Sequence, residues 1–335
     1  MRLKYAIVSQ RMIPLGIVLI LLICLYTLPQ VMVNLTQERA LQGDPKAQYE
    51  LAQRYDRGRG IIRDEQQAFQ WLMKSANQGY AKAQLDIGSF YLYGPMQSRD
   101  RPLGITWIEK AIAQGNLDAM SMLGNAYCHG AGVNKDYQKA FYWLNKAALA
   151  GNNSAAVDLG YLYYNGYGAK KDYQKAYYWT KKAADAGMEI AISNLAEMYL
   201  RGLGVNKDFK KALVLYTQAG REGSLIADVN AGYMYEHGLG TPPNKQEAKH
   251  YYSKVILNAS PEELSYIGNS FFTGESSEKD LSQAFFWTGL AASQKYKPAI
   301  TRLRSLEVEL SKSQLQAARQ RLEELRANAG YYASN

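Results

Sequence analysis

Cysteine and histidine are scarce in this chain. Its 335 residues include two cysteines, Cys24 and Cys128, and three histidines. Two isolated cysteines cannot build a disulfide framework or a cysteine-based metal site. The histidines lie in neither an H-E-x-x-H zinc motif nor a nucleophile–base arrangement. We therefore expect no cofactor, no metal and no catalytic residues, and we predict that the protein is not an enzyme.

The body of the chain also lacks an excess of charge of one sign. The formal net charge is +9, but Arg2, Lys4 and Arg11 contribute +3 and residues 295–335 contribute +4. Only +2 remains for 34–294, whereas binding to nucleic acid requires a basic stripe along the folded body. The sequence therefore predicts no nucleic-acid partner.

Charged residues are absent from Met12 to Val33, a stretch that contains IPLGIVLILLICLYTL. Its length is typical of a transmembrane helix. Because the nearby positive charges precede it, the prediction is a cytoplasmic N-terminus over 1–11, an anchor over 12–33 and an exported remainder. A cleaved signal peptide and a lipid-modified Cys24 are alternatives, but no A-x-A site follows the run, and Ile23 stands where lipidation expects a small residue.

The chain is rich in internal repetition. Glycine recurs every 36 residues, and all five tryptophans fall at position 29 of the units that these glycines begin. The stretches DYQKAFYWLNKAALAG at 136–151 and DYQKAYYWTKKAADAG at 172–187 are near-copies. The unit-starting glycines are Gly43, Gly79, Gly115, Gly151, Gly187 and Gly223, and a degenerate seventh unit begins at Ala259.

Each unit predicts a pair of helices. In the first five units, positions 5, 9 and 13 carry Ala, then Leu or Ile, then Tyr, which is the spacing of one helical stripe. Glycine at position 16 predicts the end of the first helix, and Asp or Asn at position 22 predicts the cap of the second. We thus expect helices over positions 3–15 and 23–35. Because stacked hairpins bury each other's faces, the predicted fold is an all-α solenoid.

Units such as GNLDAMSMLGNAYCHGAGVNKDYQKAFYWLNKAALA resemble the Sel-one-like repeat, a relative of the tetratricopeptide repeat. The resemblance covers 43–294 as seven repeats, and it implies a right-handed superhelix that serves as a protein-binding adaptor, often in bacterial cell envelopes. Leu215 and Tyr251 depart from the family pattern, which has Trp there, and the second and seventh units depart at Met96 and Ser276.

The rest of the chain is assigned around these repeats. We expect a linker over 34–42, capping helices over 295–330 and a tail over 331–335. Ser311 and Gln314 have the spacing of a capping box at the start of the last helix. Together with the predicted anchor, this organisation favours a single-pass protein of the inner membrane whose repeats lie in the periplasm.

One face of the first helix varies between repeats three and six. Positions 4, 8, 11 and 15 lie opposite the core stripe, and in tetratricopeptide-like families about this face lines a concave groove. Ile226, Tyr161 and Tyr233 are predicted to be exposed there among polar neighbours, as in recognition hot spots. The candidate partner-binding residues are Asn125, His129, Asp158, Tyr161, Asn165, Asn194, Glu197, Arg201, Asn230, Tyr233 and His237.

These observations favour a membrane-anchored scaffold or adaptor that binds a protein or peptide. An immunity protein that neutralises a secreted toxic effector is an alternative of the same class. An envelope glycan-acting enzyme is a less favoured alternative, because it needs a converging pair such as Asp158 and Glu197. A eukaryotic homologue of the endoplasmic reticulum is also open, since three acceptor sequons, at Asn34, Asn152 and Asn258, are present. The sequence specifies neither the partner nor the oligomeric state.

Overall fold

The protein is seen in a computed structural model that describes residues 33–274 and 279–332, with side chains up to 324. The residues in these ranges form helices, turns and loops, and none of them lies in a β-strand. The chain divides into two compact units, with the boundary between Ala150 and Gly151.

The first unit is a stack of helical hairpins. It opens with a helix over 33–41 (α1), in the segment expected to be a linker. A short 3-10 helix, Met96–Ser98, lies in the loop of the second repeat. The remaining helices are α2 Pro45–Arg57, α3 Glu65–Asn77, α4 Ala81–Tyr93, α5 Arg101–Ile112, α6 Leu117–His129 and α7 Tyr137–Leu149.

The second unit continues the same alternation and ends in two further helices. Its helices are α8 Asn153–Asn165, α9 Tyr173–Asp185, α10 Glu189–Arg201, α11 Phe209–Arg221, α12 Leu225–His237, α13 Lys245–Asn258, α14 Pro261–Thr273, α15 Leu281–Ser293, α16 Lys297–Glu309 and α17 Lys312–Tyr332.

The hairpins begin and end where the sequence predicts. In the third repeat, for example, α6 and α7 fill positions 3–15 and 23–35. Gly130 adopts a left-handed conformation, with φ +70°, and its N–H donates to the carbonyl of Ala126. The Asp136 carboxylate accepts from the backbone N–H groups of Gln138 and Lys139, which caps α7. The second repeat departs, because Gly94 is extended and the chain turns through the 3-10 helix instead.

Small residues on the first helix let the second helix of each hairpin approach closely. A Cβ placed on Gly124 would lie 2.6 Å from Cγ of Leu144, and one on Gly232 would lie 2.7 Å from the Tyr252 ring. Such spacing explains why position 10 of the repeat is Gly or Ala. The loss of helix propensity at glycine, about 0.5–1 kcal/mol relative to Ala, is offset by this close packing.

The last helix is fastened to the second unit by apolar and charged contacts. Ala318 and Leu322 of α17 join the core formed by α14 and α15. The Arg321 guanidinium lies 4.2 Å from the centre of the Phe286 ring, and its Nη2 is 3.6 Å from Oε2 of Glu236 on α12. The Ser311–Gln314 capping box forms at the start of α17, as predicted.

The membrane prediction concerns a different part of the chain. Among the helices of residues 33–274 and 279–332, none has the length and apolar character needed to cross a bilayer. The segment 12–33, predicted as the anchor, lies outside these ranges except for Val33, as do Cys24, Ser276 and the end of the tail.

Candidate functional site

Two of the predicted partner-binding residues belong to the first unit. Asn125 is half-buried on α6, and His129 is exposed as the last residue of that helix. Gly130, which follows in a left-handed conformation, ends the helix, so His129 lies at the C-terminal end of α6.

The helix α8 presents an exposed aromatic side chain in the second unit. Tyr161 is 56% exposed, between the half-buried Asp158 and Asn165. The Asn165 amide donates to the Tyr161 carbonyl at 3.0 Å. Edge-to-face contact with Tyr167, at 6.1 Å between ring centres, supports one side of the Tyr161 ring. The ring is therefore positioned on a rigid helix while most of its surface faces solvent.

The neighbouring helix α10 brings a charged pair to the same face. Arg201 Nη1 lies 2.8 Å from Oε1 of Glu197, one helical turn away. The Tyr164 hydroxyl on α8 donates to the same carboxylate oxygen at 3.3 Å and accepts from Arg201 at 3.4 Å. Arg201 also donates to the Gly274 carbonyl at the end of α14, at 3.4 Å. These contacts join α8, α10 and α14, and Asn194 is half-buried one turn before Glu197.

Two tyrosines complete this cluster, and both lie outside the predicted set. Burial, and then the Glu197 charge, raises the pKa of Tyr164 to about 12. Tyr216 of α11 is fully buried, and this raises its pKa well above the ordinary value. Its hydroxyl has no hydrogen-bond partner among the described residues. Tyr164 occupies position 14, a column that carries Asp, Leu, Cys, Glu or Phe in other repeats, and that variation is the signal that could have identified it.

The predictions for α12 require a correction. Asn230, expected on the solvated face, is only 3% exposed. Ile226 and Tyr233 are partly buried against the core of α14 and α15, and the Tyr233 ring centre is 5.7 Å from that of Phe271. The reason is that α12 packs on two sides, since Ala227, Ala231 and Met234 face another core cluster at the same time.

His237 remains at the exposed end of this helix. Its ring stacks on Tyr233 with 4.0 Å between ring centres, and its Nδ1 lies 2.9 Å from the Tyr233 carbonyl. The histidine is thus held by its own helix.

We define the α8–α10 face as Asp158, Tyr161, Asn165, Asn194, Glu197 and Arg201. It offers one exposed aromatic ring beside carboxylate, amide and guanidinium groups, which are the groups that recognise polypeptides. The Glu197 carboxylate, which an acid–base pair with Asp158 would require, already binds Arg201 and Tyr164. Within the described ranges, no three His, Cys, Asp or Glu side chains form a group that could hold a metal ion.

Comparison with known families and structures agrees with the repeat pattern. The family model of the Sel1 repeat matches seven segments: 45–80, 81–116, 117–152, 153–188, 190–224, 226–255 and 264–296. A comparison with curated proteins finds no significant match.

Solved structures with the same fold are known from several bacteria. A protective antigen of uropathogenic Escherichia coli strains, with an SLR fold, is 31% identical over 84% of this chain and 61% of its own, with a TM-score of 0.61. A Sel1 repeat protein from Oxalobacter formigenes is 32% identical over 64% of this chain and 86% of its own, with a TM-score of 0.59.

A more distant likeness is to an immunity protein of Pseudomonas aeruginosa, with 21% identity over 64% of this chain and 82% of its own and a TM-score of 0.44. The chain spans less than two thirds of the length of the E. coli structure. The seven matched repeats cover most of its residues, and the chain belongs to the Sel1 repeat family.

Proposed function

We propose that the protein is a scaffold that binds another protein through the α8–α10 face. The observation that carries this proposal is Tyr161, a large aromatic ring left 56% exposed on a helix whose neighbours are ordered by hydrogen bonds. Tyrosine and arginine are enriched among the residues that dominate binding energy. Tyr161 and Arg201 are both present here, on adjacent helices.

The face is already ordered without a partner. Arg201 is held by Glu197, by Tyr164 and by the Gly274 carbonyl, so its side chain keeps little rotamer freedom to lose. Binding through preordered side chains avoids about 0.5–1.5 kcal/mol of entropy cost for each long side chain that would otherwise be immobilised. On α12, by contrast, Asn230 is buried and Tyr233 packs partly against the core, which restricts the proposed face to α8 and α10.

We further propose that the repeats are presented in the periplasm by an anchor over 12–33. The support is the uncharged run and the three positive charges that precede it. Alkaline phosphatase, which is active only after export, should be active when it is fused after Asn335. A cytoplasm-active reporter that works at the same position would contradict this arrangement.

Site-specific photo-crosslinking in the native cells tests the binding face. A benzoylphenylalanine placed at Tyr161 of the full-length protein should capture one dominant partner. The same group placed at Tyr142, which is 57% exposed on α7, is the matched control and should not capture it. Equal capture from both positions, or none from Tyr161, would refute the proposed face.

The identity of the captured protein separates the two roles. An envelope-assembly or signalling protein would support a scaffold, whereas a toxic effector would make the protein an immunity protein. Tyr161→Ala should abolish co-purification of the captured protein with the otherwise unmodified full-length protein in either case, while leaving the melting temperature unchanged, because a side chain this exposed contributes little to stability.

A further inference from the structure

A second surface of the second unit differs from the rest of the repeat array. Position 29, on the second helix of each hairpin, is Trp in five repeats and Tyr251 in the sixth, but Leu215 in the fifth. Tyr251 stacks on Tyr235, with 5.6 Å between ring centres. Only the fifth repeat has no aromatic ring at this position.

The second repeat shows what the ring normally does. Trp107 is 7% exposed and packs among Ala76, Ala83 and Ile87, with Tyr91 and the preceding helix at its edge. Its indole thus closes the junction between α3, α4 and α5.

The equivalent junction in the fifth repeat is open. Leu195, Tyr199 and Leu215 occur 108 residues after Ile87, Tyr91 and Trp107, which is three repeats. A hollow of about 360 Å³ lies here between α9, α10 and α11. This is at the small end of the range of roughly 300–1,000 Å³ found for ligand pockets. Its lining residues are Lys181, Leu195, Tyr199, Lys210, Lys211, Val214 and Leu215.

The rim of the hollow is basic, whereas the equivalent positions at the second-repeat junction are uncharged. Where the second repeat has Met73, Pro102 and Leu103, this junction has Lys181, Lys210 and Lys211. Lys211 Nζ lies 5.3 Å from the centre of the Tyr199 ring.

Local carboxylates neutralise this charge only in part. Lys181 is 2.6 Å from Asp185, and Lys211 is 3.3 Å from Asp208. Both pairs are exposed, so each contributes little and can be exchanged for a partner's carboxylate. The segment KDFKK at 207–211 still carries three lysines and one aspartate.

We infer that this hollow binds an aromatic side chain from an acidic segment of a partner protein. The ring would occupy the volume that the Trp indole fills in other repeats, against Leu195, Val214 and Leu215. Carboxylates that flank the ring would face the lysines, since complementary charge steers encounter and fixes register. The hollow shares no residue with the α8–α10 face, so the inference does not depend on the proposed function.

The test uses the full-length protein in detergent and the peptide EDWED, which carries fluorescein on its N-terminal amine and an amide at its C-terminus; binding is followed by anisotropy. This peptide should bind, and EDAED and KKWKK with the same N-terminal label and C-terminal amide should each bind at least tenfold more weakly. Leu215→Trp fills the hollow with the side chain that five repeats already use, and it should reduce binding at least tenfold without lowering the melting temperature. Leu215→Ile keeps the hollow and should keep binding within about twofold.

Further variants keep the inference open to refutation. Lys210→Ala together with Lys211→Ala removes charge from the exposed rim and should weaken binding severalfold, with a smaller dependence on salt. Tyr161→Ala should leave peptide binding unchanged, which separates this site from the α8–α10 face. Unchanged affinity in Leu215→Trp, equal binding of the three peptides, or no binding to the wild-type protein would overturn the inference. Binding of octanoate in place of the peptide would do the same, because it would indicate an aliphatic ligand.

Discussion

Replacement of Lys254 by methionine should destabilise the second unit, because it leaves the buried Asp228 carboxylate without its ion-pair partner. Asp228, in the first turn of α12, has only 1% of its side chain exposed, and its Oδ1 accepts no hydrogen bond within the described residues. Lys254 Nζ on α13 lies 2.7 Å from Oδ2 and also donates to the Gly220 carbonyl at 2.5 Å. Burial raises the pKa of Asp228, whereas the lysine charge acts in the opposite direction.

The size of the effect follows from this geometry. Removing one partner of a buried ion pair costs about 3–5 kcal/mol. We expect a loss of about 3 kcal/mol at pH 7, because Lys254 is 38% exposed and water screens part of the attraction. In a unit of this size, that loss would lower the melting temperature by roughly 6–12 °C.

The dependence of this stability loss on pH identifies the Asp228 carboxylate as its source. Without Lys254 the pKa of Asp228 should rise further above its unfolded value, so the folded state takes up a proton that the unfolded state does not. Stability of the variant then increases as pH falls through this interval. The gap between wild type and Lys254→Met should therefore narrow between pH 7 and pH 5.

Thermal unfolding followed by circular dichroism at both pH values measures this gap. The double variant Asp228→Asn with Lys254→Met should recover most of the loss, since no charge remains buried. The reasoning would be refuted by an equal loss at pH 7 and pH 5, or by a double variant no more stable than Lys254→Met.

Three further predictions concern packing and the α8–α10 face. Gly124→Ala should destabilise the first unit by about 1–3 kcal/mol in denaturant unfolding, because its Cβ would lie 2.6 Å from Cγ of Leu144, and Leu144→Ala should make the glycine substitution less costly. Glu197→Gln should lower the pKa of Tyr164 from about 12, as measured by NMR of ¹³C-labelled tyrosine, yet leave it above 10, because burial is the larger cause. Trp107→Leu should cost about 2–4 kcal/mol in the same unfolding assay, since it opens the second-repeat junction to resemble the fifth; an unchanged midpoint would contradict the role assigned to the indole.

The sequence predicts the hairpins well because their ends depend on local chemistry. Asp136 caps α7 through backbone groups two and three residues away, and Gly130 ends α6 within its own turn. The alternation of large and small residues likewise acts inside one hairpin, as between Gly124 and Leu144. These interactions span few residues and recur in each unit.

The composition of the binding face was harder to predict because it depends on contacts between distant repeats. A helical stripe places Asn230 opposite one core, but the aromatic residues of α14 and α15 form a second core on its other side. Arg201 meets the carbonyl of Gly274, two repeats further on. The 36-residue periodicity of the sequence does not predict such contacts, because they depend on how successive hairpins are rotated relative to one another.

The turns that begin each repeat have an evolutionary consequence. Gly151 and Gly187 adopt positive φ angles, and a Cβ placed on either would meet no atom within 4 Å. These junctions depend on backbone conformation alone, so a duplicated stretch of gene that ends there would bring its own caps and add a whole hairpin without a clash at the seam. The near-identity of 136–151 and 172–187 is what such a duplication would leave. The structure thus allows the array to lengthen or shorten by whole hairpins without a change in the contacts inside each one.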